Sequence, residues 1–128
     1  MIVVDTSVLI DHLRGDPRAR DALKSAIGSK RRLFASVMTK VEVLAGMRPA
    51  EETRTRALLD LLEWVPVSDS IAERAGELAW SYLQSHPGVD NVDYVIAATS
   101  EHLEAELWTR NAKHFPMFSK LPDPYASH

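Results

Sequence analysis

The chain has 128 residues, no cysteine and a formal net charge of −3. This length predicts a single domain built around one core. Because cysteine is absent, a disulfide framework, a thiolate zinc site and a catalytic thiol are excluded, which predicts a protein of the reducing cytoplasm. No apolar run approaches the length of a membrane span, so no membrane contact is expected.

The charges are unevenly distributed along the chain. Residues 1–64 contain eleven Lys and Arg against nine Asp and Glu, whereas residues 65–128 contain four against nine. A protein with an acidic balance is not expected to coat nucleic acid non-specifically, although local basic clusters can still contact phosphates. The composition therefore leaves an RNA substrate open.

Short apolar runs alternate with segments of helical period along the chain. The runs predict strands at 1–4, 33–35, 64–67 and 106–109, and the periodic segments predict helices at about 6–13, 17–27, 36–45, 51–63, 70–86 and 91–103. Ser70 and Glu73 have the spacing of a capping box for the fifth helix. The segment from about 116 is rich in proline and is predicted to be irregular. The alternation favours an α/β fold, a three-layer α/β/α sandwich with a central parallel sheet.

Asp5 stands at the end of the first predicted strand. A carboxylate at the end of a buried strand is costly unless it is paired, hydrogen-bonded or metal-bound. A role as helix N-cap accounts equally well for Asp5 alone. The hydroxyls of Thr6 and Ser7 could cap the helix and also orient the carboxylate, as metal ligands generally require.

Three further oxygen-bearing side chains hold comparable positions. Glu42 lies in an apolar helical segment that we expect to be largely buried, with a surface-facing glutamate as the ordinary alternative. Asp93 opens the last helix, where its charge complements the helix dipole, and Asp90 or Asn91 could be the cap. Asn111 follows the last strand, where a turn-forming asparagine is the default interpretation.

Together these four positions predict a cation site. A parallel sheet brings the ends of its strands and the starts of its helices to one edge, so the four side chains could meet there. Oxygen ligands suit Mg²⁺ or Mn²⁺, and phosphodiester cleavage by such ions needs carboxylates from separate elements. The pattern therefore favours a metal-dependent phosphodiesterase.

At these positions the chain resembles the PIN-domain nucleases, in particular the VapC ribonuclease toxins of bacterial toxin–antitoxin pairs. The likeness runs from Ile2 to about Leu121. Its motifs are short but keep their order and spacing, and they read VDTSVLI from residue 4, SVMT from residue 36, EVLAG from residue 42, DYVIAAT from residue 93 and TRNAKHF from residue 109.

The resemblance implies a site and a reaction. The implied metal-binding and catalytic acids are Asp5, Glu42 and Asp93. The implied supporting hydroxyls are those of Thr6, Ser7 and Thr109, and the fourth metal position falls on Asn111. Many family members have aspartate at that fourth position, whereas the amide of Asn111 supplies a neutral oxygen ligand. We therefore expect one well-bound Mg²⁺ or Mn²⁺ ion and a second recruited with the RNA phosphate. The implied reaction is hydrolysis of RNA by metal-activated water, leaving a 5′-phosphate and a 3′-hydroxyl, and Asp90 is interpreted as a helix cap or as an assisting acid.

The resemblance also implies partners. It implies a homodimer and a cognate antitoxin that inserts a cationic side chain among the carboxylates and binds its own operator DNA, so that any DNA binding belongs to the antitoxin. Arg110 and Lys113 flank the proposed pocket and are the candidates for RNA contact. The basic run 30–32 is interpreted as solvated.

The remaining aromatic and imidazole side chains are interpreted as structural. The histidines lack the i, i+4 spacing of a zinc-binding helix and are expected to be structural or surface residues. The tryptophans lie in apolar settings that favour core or interface positions, and they are Trp64, Trp80 and Trp108.

Two alternatives to a nuclease remain open. Receiver domains and aspartyl-phosphate hydrolases also place an aspartate after a parallel strand and use Mg²⁺. Here no second acid stands two residues after Asp5, and no adjacent acidic pair or strand-end lysine stands where a phosphorylation switch would need it. A PIN-fold binding module that keeps the fold but not the chemistry is the other alternative. In that case Asn111 would mark the decay of the catalytic site.

Overall fold

Four short parallel strands form the central sheet of the computed structural model, which describes residues 1–126. The strands are β1 (Ile2–Val4), β2 (Leu33–Ser36), β3 (Glu63–Val65) and β4 (Glu106–Trp108). Their order in the sheet is β3-β2-β1-β4, and every pair is parallel. The strands β1 and β2 occupy the middle, which explains why all their residues are buried, as expected for a parallel sheet covered on both faces.

Six helices cover the two faces of the sheet. They are α1 (Thr6–Leu13), α2 (Pro17–Gly28), α3 (Val37–Ala45), α4 (Glu52–Leu59), α5 (Asp69–Tyr82) and α6 (Asn91–Leu103), with short 3₁₀ turns at Pro49–Glu51 and Ala112–His114. No helix within residues 1–126 is long and apolar enough to cross a membrane.

Alternate residues of β1 point into two separate hydrophobic cores. Ile2 and Val4 pack with α1 to α4 on one face, and Val3 packs with α5 and α6 on the other. This is the period of two expected for a strand. The predicted three-layer α/β/α sandwich with a parallel sheet is therefore confirmed.

A sharp corner joins α1 to α2. Gly15 has a φ of +85°, a conformation that a residue without Cβ adopts readily. Asp16 then caps α2, since its Oδ1 accepts a hydrogen bond of 2.9 Å from the backbone N–H of Arg18. The chain therefore passes from α1 to α2 through three residues, 14–16.

Some predicted boundaries are wrong for local reasons. The helix predicted to end at 63 ends at Leu59, because the chain tightens and the indole Nε1 of Trp64 donates to the Leu59 carbonyl at 3.1 Å. Strand β3 consequently occupies 63–65 instead of 64–67. The predicted capping box of α5 is also wrong, since Ser68 caps the helix by accepting from the N–H of Ile71. Helix α5 ends at Tyr82, before the residues that lead into Pro87.

The predicted positions of the tryptophans are only partly right. Trp108 is fully buried and Trp64 is half-buried, but Trp80 has 88% of its surface exposed, so it is not a core residue. The basic run 30–32 lies at the amino edge of the sheet. There Arg31 pairs with Glu106, and Arg32 makes two hydrogen bonds to Glu63.

Candidate active site

A cleft of about 420 Å³ opens at the carboxyl edge of the sheet. Asp5, Glu42, Asp93 and Asn111 all line it, although they come from the end of β1, the middle of α3, the first turn of α6 and the chain after β4. The topology of a parallel α/β sheet thus brings the four predicted residues around one cavity.

Asp5 is the most buried acid of the cleft, with 4% of its surface exposed. Its Oδ2 accepts hydrogen bonds from Ser7 Oγ at 2.9 Å and Thr109 Oγ1 at 2.7 Å. Its backbone N–H donates to the Trp108 carbonyl, which ties the end of β1 to β4. The side chain makes no capping bond to α1, so the interpretation as a side-chain N-cap is wrong. Two hydroxyls therefore orient one carboxylate oxygen and leave the other available.

A residue of α1 holds the Glu42 carboxylate. Thr6 Oγ1 donates to Glu42 Oε1 at 2.6 Å and contacts the buried Thr39 hydroxyl at 3.3 Å. Helix α3 begins after Ser36, whose Oγ accepts from the second N–H of the helix. The expectation of a largely buried helix is wrong, because Val41 is 56% exposed and the helix packs through one face only.

Asp93 and Asp90 form a capping box at the start of α6. Asp90 Oδ1 accepts from the Asp93 N–H at 3.0 Å, and Asp93 Oδ2 accepts from the Asp90 N–H at 3.2 Å, so Asp90 is the cap and not Asn91. Burial raises the pKa of Asp93 to about 6, with further upward contributions from the charges of Asp90 and Asp5. The bond from the Asp90 backbone and the nearby His114 imidazole oppose this rise. The ionised Asp93 is thus destabilised where a cation would stabilise it.

Asn111 completes the cleft with a neutral oxygen. Its backbone N–H donates to Thr109 Oγ1 at 3.0 Å, and that hydroxyl in turn donates to Asp5. The amide side chain of Asn111 makes no hydrogen bond among residues 1–126 and is exposed. Thr109 therefore links the acid at the end of β1 to the amide after β4.

Two arginines contribute to the lining of the cleft. Arg110 and Arg14 both line it, and the Arg110 backbone N–H donates to Ser7 Oγ at 3.0 Å. Lys113 is exposed and does not line the cavity, so only Arg110 of the two predicted RNA-contacting residues is placed there.

Three titratable residues of the cleft were missed by sequence reasoning. His114, expected to be structural or a surface residue, lies with its Nδ1 at 3.5 Å from Asp93 Oδ2. Asp11 and Arg14 follow Ser7 at spacings of four and seven residues, which places them on the same helical face. This spacing was the available signal for the two residues of α1.

The oxygen ligands that line the cleft are of the chemical type that binds a hard divalent cation. Carboxylates and an amide carbonyl are the ligands that Mg²⁺ and Mn²⁺ prefer, and the raised pKa of Asp93 marks a place where positive charge is needed. Within residues 1–126 no three acidic or imidazole side chains already converge on one point. Because carboxylates repel one another, a cation between them would favour their closer approach.

Known proteins resemble this chain over nearly its whole length. A family model described as PIN domain matches residues 2–121. Ribonuclease VapC19 of Mycobacterium tuberculosis H37Rv is 42% identical over 125 residues, which cover 98% of this chain and all of that protein. Ribonuclease VapC10 of the same strain is 43% identical over 126 residues, covering 98% and 94% of the two chains.

Solved structures show the same likeness. A toxin–antitoxin complex from Klebsiella pneumoniae contains a chain with a TM-score of 0.80 and 29% identity, covering 98% of both chains. VapBC2 from Rickettsia felis, bound to a DNA fragment from its promoter, gives a TM-score of 0.76 over 94% of this chain and 96% of that chain; at 22% identity this is a likeness of fold. The chain belongs to the PIN-domain family and, within it, to the VapC ribonucleases.

Proposed function

We propose that this protein is an endoribonuclease toxin that hydrolyses RNA phosphodiester bonds with the help of Mg²⁺ or Mn²⁺. The proposed metal ligands are Asp5, Glu42, Asp93 and Asn111. The observation that carries the proposal is the meeting of these residues, from four separate elements, around one cleft. Two relatives that are 42% and 43% identical to this chain over nearly their whole length are named ribonucleases.

A divalent cation at these ligands would activate a water molecule and neutralise charge on the reacting phosphate. The protein's part is to orient its oxygens in advance. Ser7 and Thr109 hold the Asp5 carboxylate, and Thr6 holds that of Glu42. Such supporting hydrogen bonds fix ligand geometry and typically affect metal affinity or activity by about 10- to 100-fold.

RNA cleavage by purified variants tests the proposal. We expect Asp5→Asn, Glu42→Gln and Asp93→Asn each to lower cleavage by about 100-fold or more, and a chelator to abolish cleavage until Mg²⁺ or Mn²⁺ is restored. Asp21→Asn is the matched control, because it removes one carboxylate from a side chain that is 71% exposed on α2. Undiminished cleavage by all three variants would remove the proposed site. A protein that folds but neither cleaves RNA nor binds Mn²⁺ would instead support the alternative of a non-catalytic PIN-fold module.

We propose further that a cognate antitoxin neutralises the toxin by covering this cleft. The acids that line it are complementary to a cationic side chain, and the similar Klebsiella chain was solved in a toxin–antitoxin complex. Contact with operator DNA is assigned to the antitoxin, and the toxin is proposed to be a cytoplasmic homodimer. Light scattering of the toxin with and without its co-expressed antitoxin, combined with the cleavage assay, tests the assembly and the inhibition.

A further inference from the structure

The chain after Ala112–His114 returns to the end of α1 and is anchored there by Tyr125. The Tyr125 hydroxyl donates to Asp11 Oδ2 at 2.7 Å, which joins residues 114 positions apart. Burial and this hydrogen bond raise the pKa of Tyr125, so the hydroxyl remains a donor. Asp123 fixes the backbone by accepting from the N–H groups of Tyr125 at 2.9 Å and Ala126 at 3.1 Å. The aromatic ring consequently has a defined position.

The Tyr125 ring stacks against the Arg110 guanidinium. Arg110 Cζ lies 4.4 Å from the ring centroid, within the range of a cation–π contact. The carboxylates nearest to this guanidinium belong to Asp11 and Asp123, at 3.8 and 3.6 Å, which is too far for a hydrogen bond. Within residues 1–126 the guanidinium donates no hydrogen bond, and its side chain is 34% exposed. The ring orients this cation while its N–H donors remain available.

Arg110 stands beside the acids of the cleft, and of these it lies within ion-pair distance of Asp11, at 3.8 Å. Its backbone N–H donates to Ser7 Oγ, which donates to Asp5, so its position relative to that acid is fixed. Among the described residues, its guanidinium forms no ion pair with Asp5, Glu42 or Asp93. A long cationic side chain next to several carboxylates would gain energy by moving onto them. The Tyr125 ring, together with the long ion pairs to Asp11 and Asp123, holds it at the rim instead.

We propose that Tyr125 is a positioning residue that holds Arg110 at the rim of the cleft, where its guanidinium binds a phosphate of the RNA strand next to the bond being cleaved. This inference rests on the proposed function and adds a role for the segment that ends the described chain. A planar guanidinium with unused donors matches phosphate oxygens in a bidentate arrangement. An anion is therefore the ligand that this arrangement selects.

Binding of a fluorescein-labelled, mixed-sequence RNA oligonucleotide tests the proposal, measured by anisotropy in the non-cleaving Asp93→Asn background. We expect Tyr125→Leu to weaken binding by about threefold to fivefold. Tyr125→Phe keeps the ring and the backbone bond to Asp123 but loses the bond to Asp11, so it should weaken binding less than Tyr125→Leu does. Arg110→Ala should lower the slope of log Kd against log salt by about 0.7, the value for one single-strand phosphate contact. Tyr125→Leu should lower this slope in the same direction, which a merely structural role would not do.

Matched variants isolate the contact. Arg18→Ala removes the other guanidinium near the ring, at 5.2 Å, but Arg18 is bound to Asp16 and does not line the cleft, so RNA binding should be unchanged. Arg110→Lys keeps the charge and should weaken binding, because an ammonium neither stacks on the ring nor forms a bidentate contact. In cleavage assays without the background substitution, Tyr125→Leu should raise KM more than it lowers kcat.

The outcomes separate this inference from the proposed function. Absence of both RNA binding and cleavage by the unsubstituted protein would refute the proposed function itself. If that protein binds and cleaves RNA while Tyr125→Leu keeps the parental Kd and salt slope, the role of Tyr125 is refuted. Additive effects of Tyr125→Leu and Arg110→Ala would refute it equally, because Tyr125→Leu should have no further effect in a protein that already lacks the Arg110 guanidinium. Should Tyr125→Leu fail to fold, Arg110→Lys decides: parental binding by this variant refutes the contact.

Discussion

Asp93→Asn should stabilise the metal-free protein while removing its activity. Asp93 has only 14% of its side chain exposed, and it faces the charges of Asp90 and Asp5. The asparagine oxygen can still accept from the Asp90 N–H, and the backbone N–H at position 93 still donates to Asp90, so the capping box survives the substitution. The change therefore removes mainly the cost of a carboxylate charge in this place.

The magnitude follows from the pKa of Asp93, which is raised from 3.8 to about 6. A change of this size corresponds to ~3 kcal/mol between the two protonation states. The substitution also loses the attraction between the carboxylate charge and the start of α6, which lowers the gain in stability by ~0.5–1 kcal/mol. Solvent relaxation lowers the gain further. We expect the substitution to raise the free energy of unfolding by ~1 kcal/mol at neutral pH.

The pH dependence has a definite sign. Because the folded-state pKa is the higher one, the stability associated with protonated Asp93 is complete below pH 3.8 and is lost as the pH rises through about 6. The advantage of Asp93→Asn should therefore shrink as the pH is lowered from neutrality toward 4. Mg²⁺ should reverse the order, because it stabilises only the protein that binds it, by ~2.7 kcal/mol at a hundredfold excess over Kd.

Urea unfolding with a chelator, repeated with Mg²⁺, measures these differences. Asp21→Asn on the exposed face of α2 controls for loss of one negative charge and should change stability by less than ~0.5 kcal/mol. Equal or lower stability of Asp93→Asn in the chelator at neutral pH would show that burial does not destabilise the carboxylate, and would refute the reasoning.

Three further substitutions test other parts of the structure. Thr109→Val keeps the shape of a buried side chain but removes the 2.7 Å bond to Asp5, so RNA cleavage should fall by about 10- to 100-fold; unchanged rates would contradict the supporting role. Tyr94→Phe removes a buried hydroxyl that has no hydrogen-bond partner among residues 1–126 and should raise the unfolding free energy by ~1 kcal/mol in urea titrations; a loss of stability would reveal a partner. Asn111→Asp adds charge to the cleft and should tighten Mn²⁺ binding in calorimetric titrations, whereas weaker binding would place residue 111 outside the ligand set.

The fold was predictable because its signals are local. The buried run of β1 and the periodic apolar faces of the helices follow from the spacing of neighbouring residues, and parallel topology follows from their alternation. Boundaries were less predictable where side chains compete for the same backbone groups. The Trp64 indole ends α4 by bonding a carbonyl, and Ser68 caps α5 two residues before the expected Ser70. Trp80 lies off the apolar stripe of its helix, so the periodicity itself could have placed it in solvent.

The site was predictable to the extent that strand ends and family motifs identify it. Asp5, Asp93 and Asn111 stand next to element ends, which a parallel sheet gathers at one edge. The Tyr125 contact with Asp11 could not be predicted, because a hydrogen bond across 114 residues leaves no periodic trace in the sequence. Only the folded chain brings those two side chains together.

The register between the first and last strands has a consequence for synthesis. Val4 stands opposite Trp108, and this alignment sets the Thr109 hydroxyl beside Asp5. A ribosome-bound polypeptide that ends before residue 106 contains Asp5 but neither Thr109, whose hydroxyl donates to it, nor Asn111. The proposed catalytic site therefore forms only after β4 and the residues that follow it have left the ribosome, and shorter nascent chains should not cleave RNA.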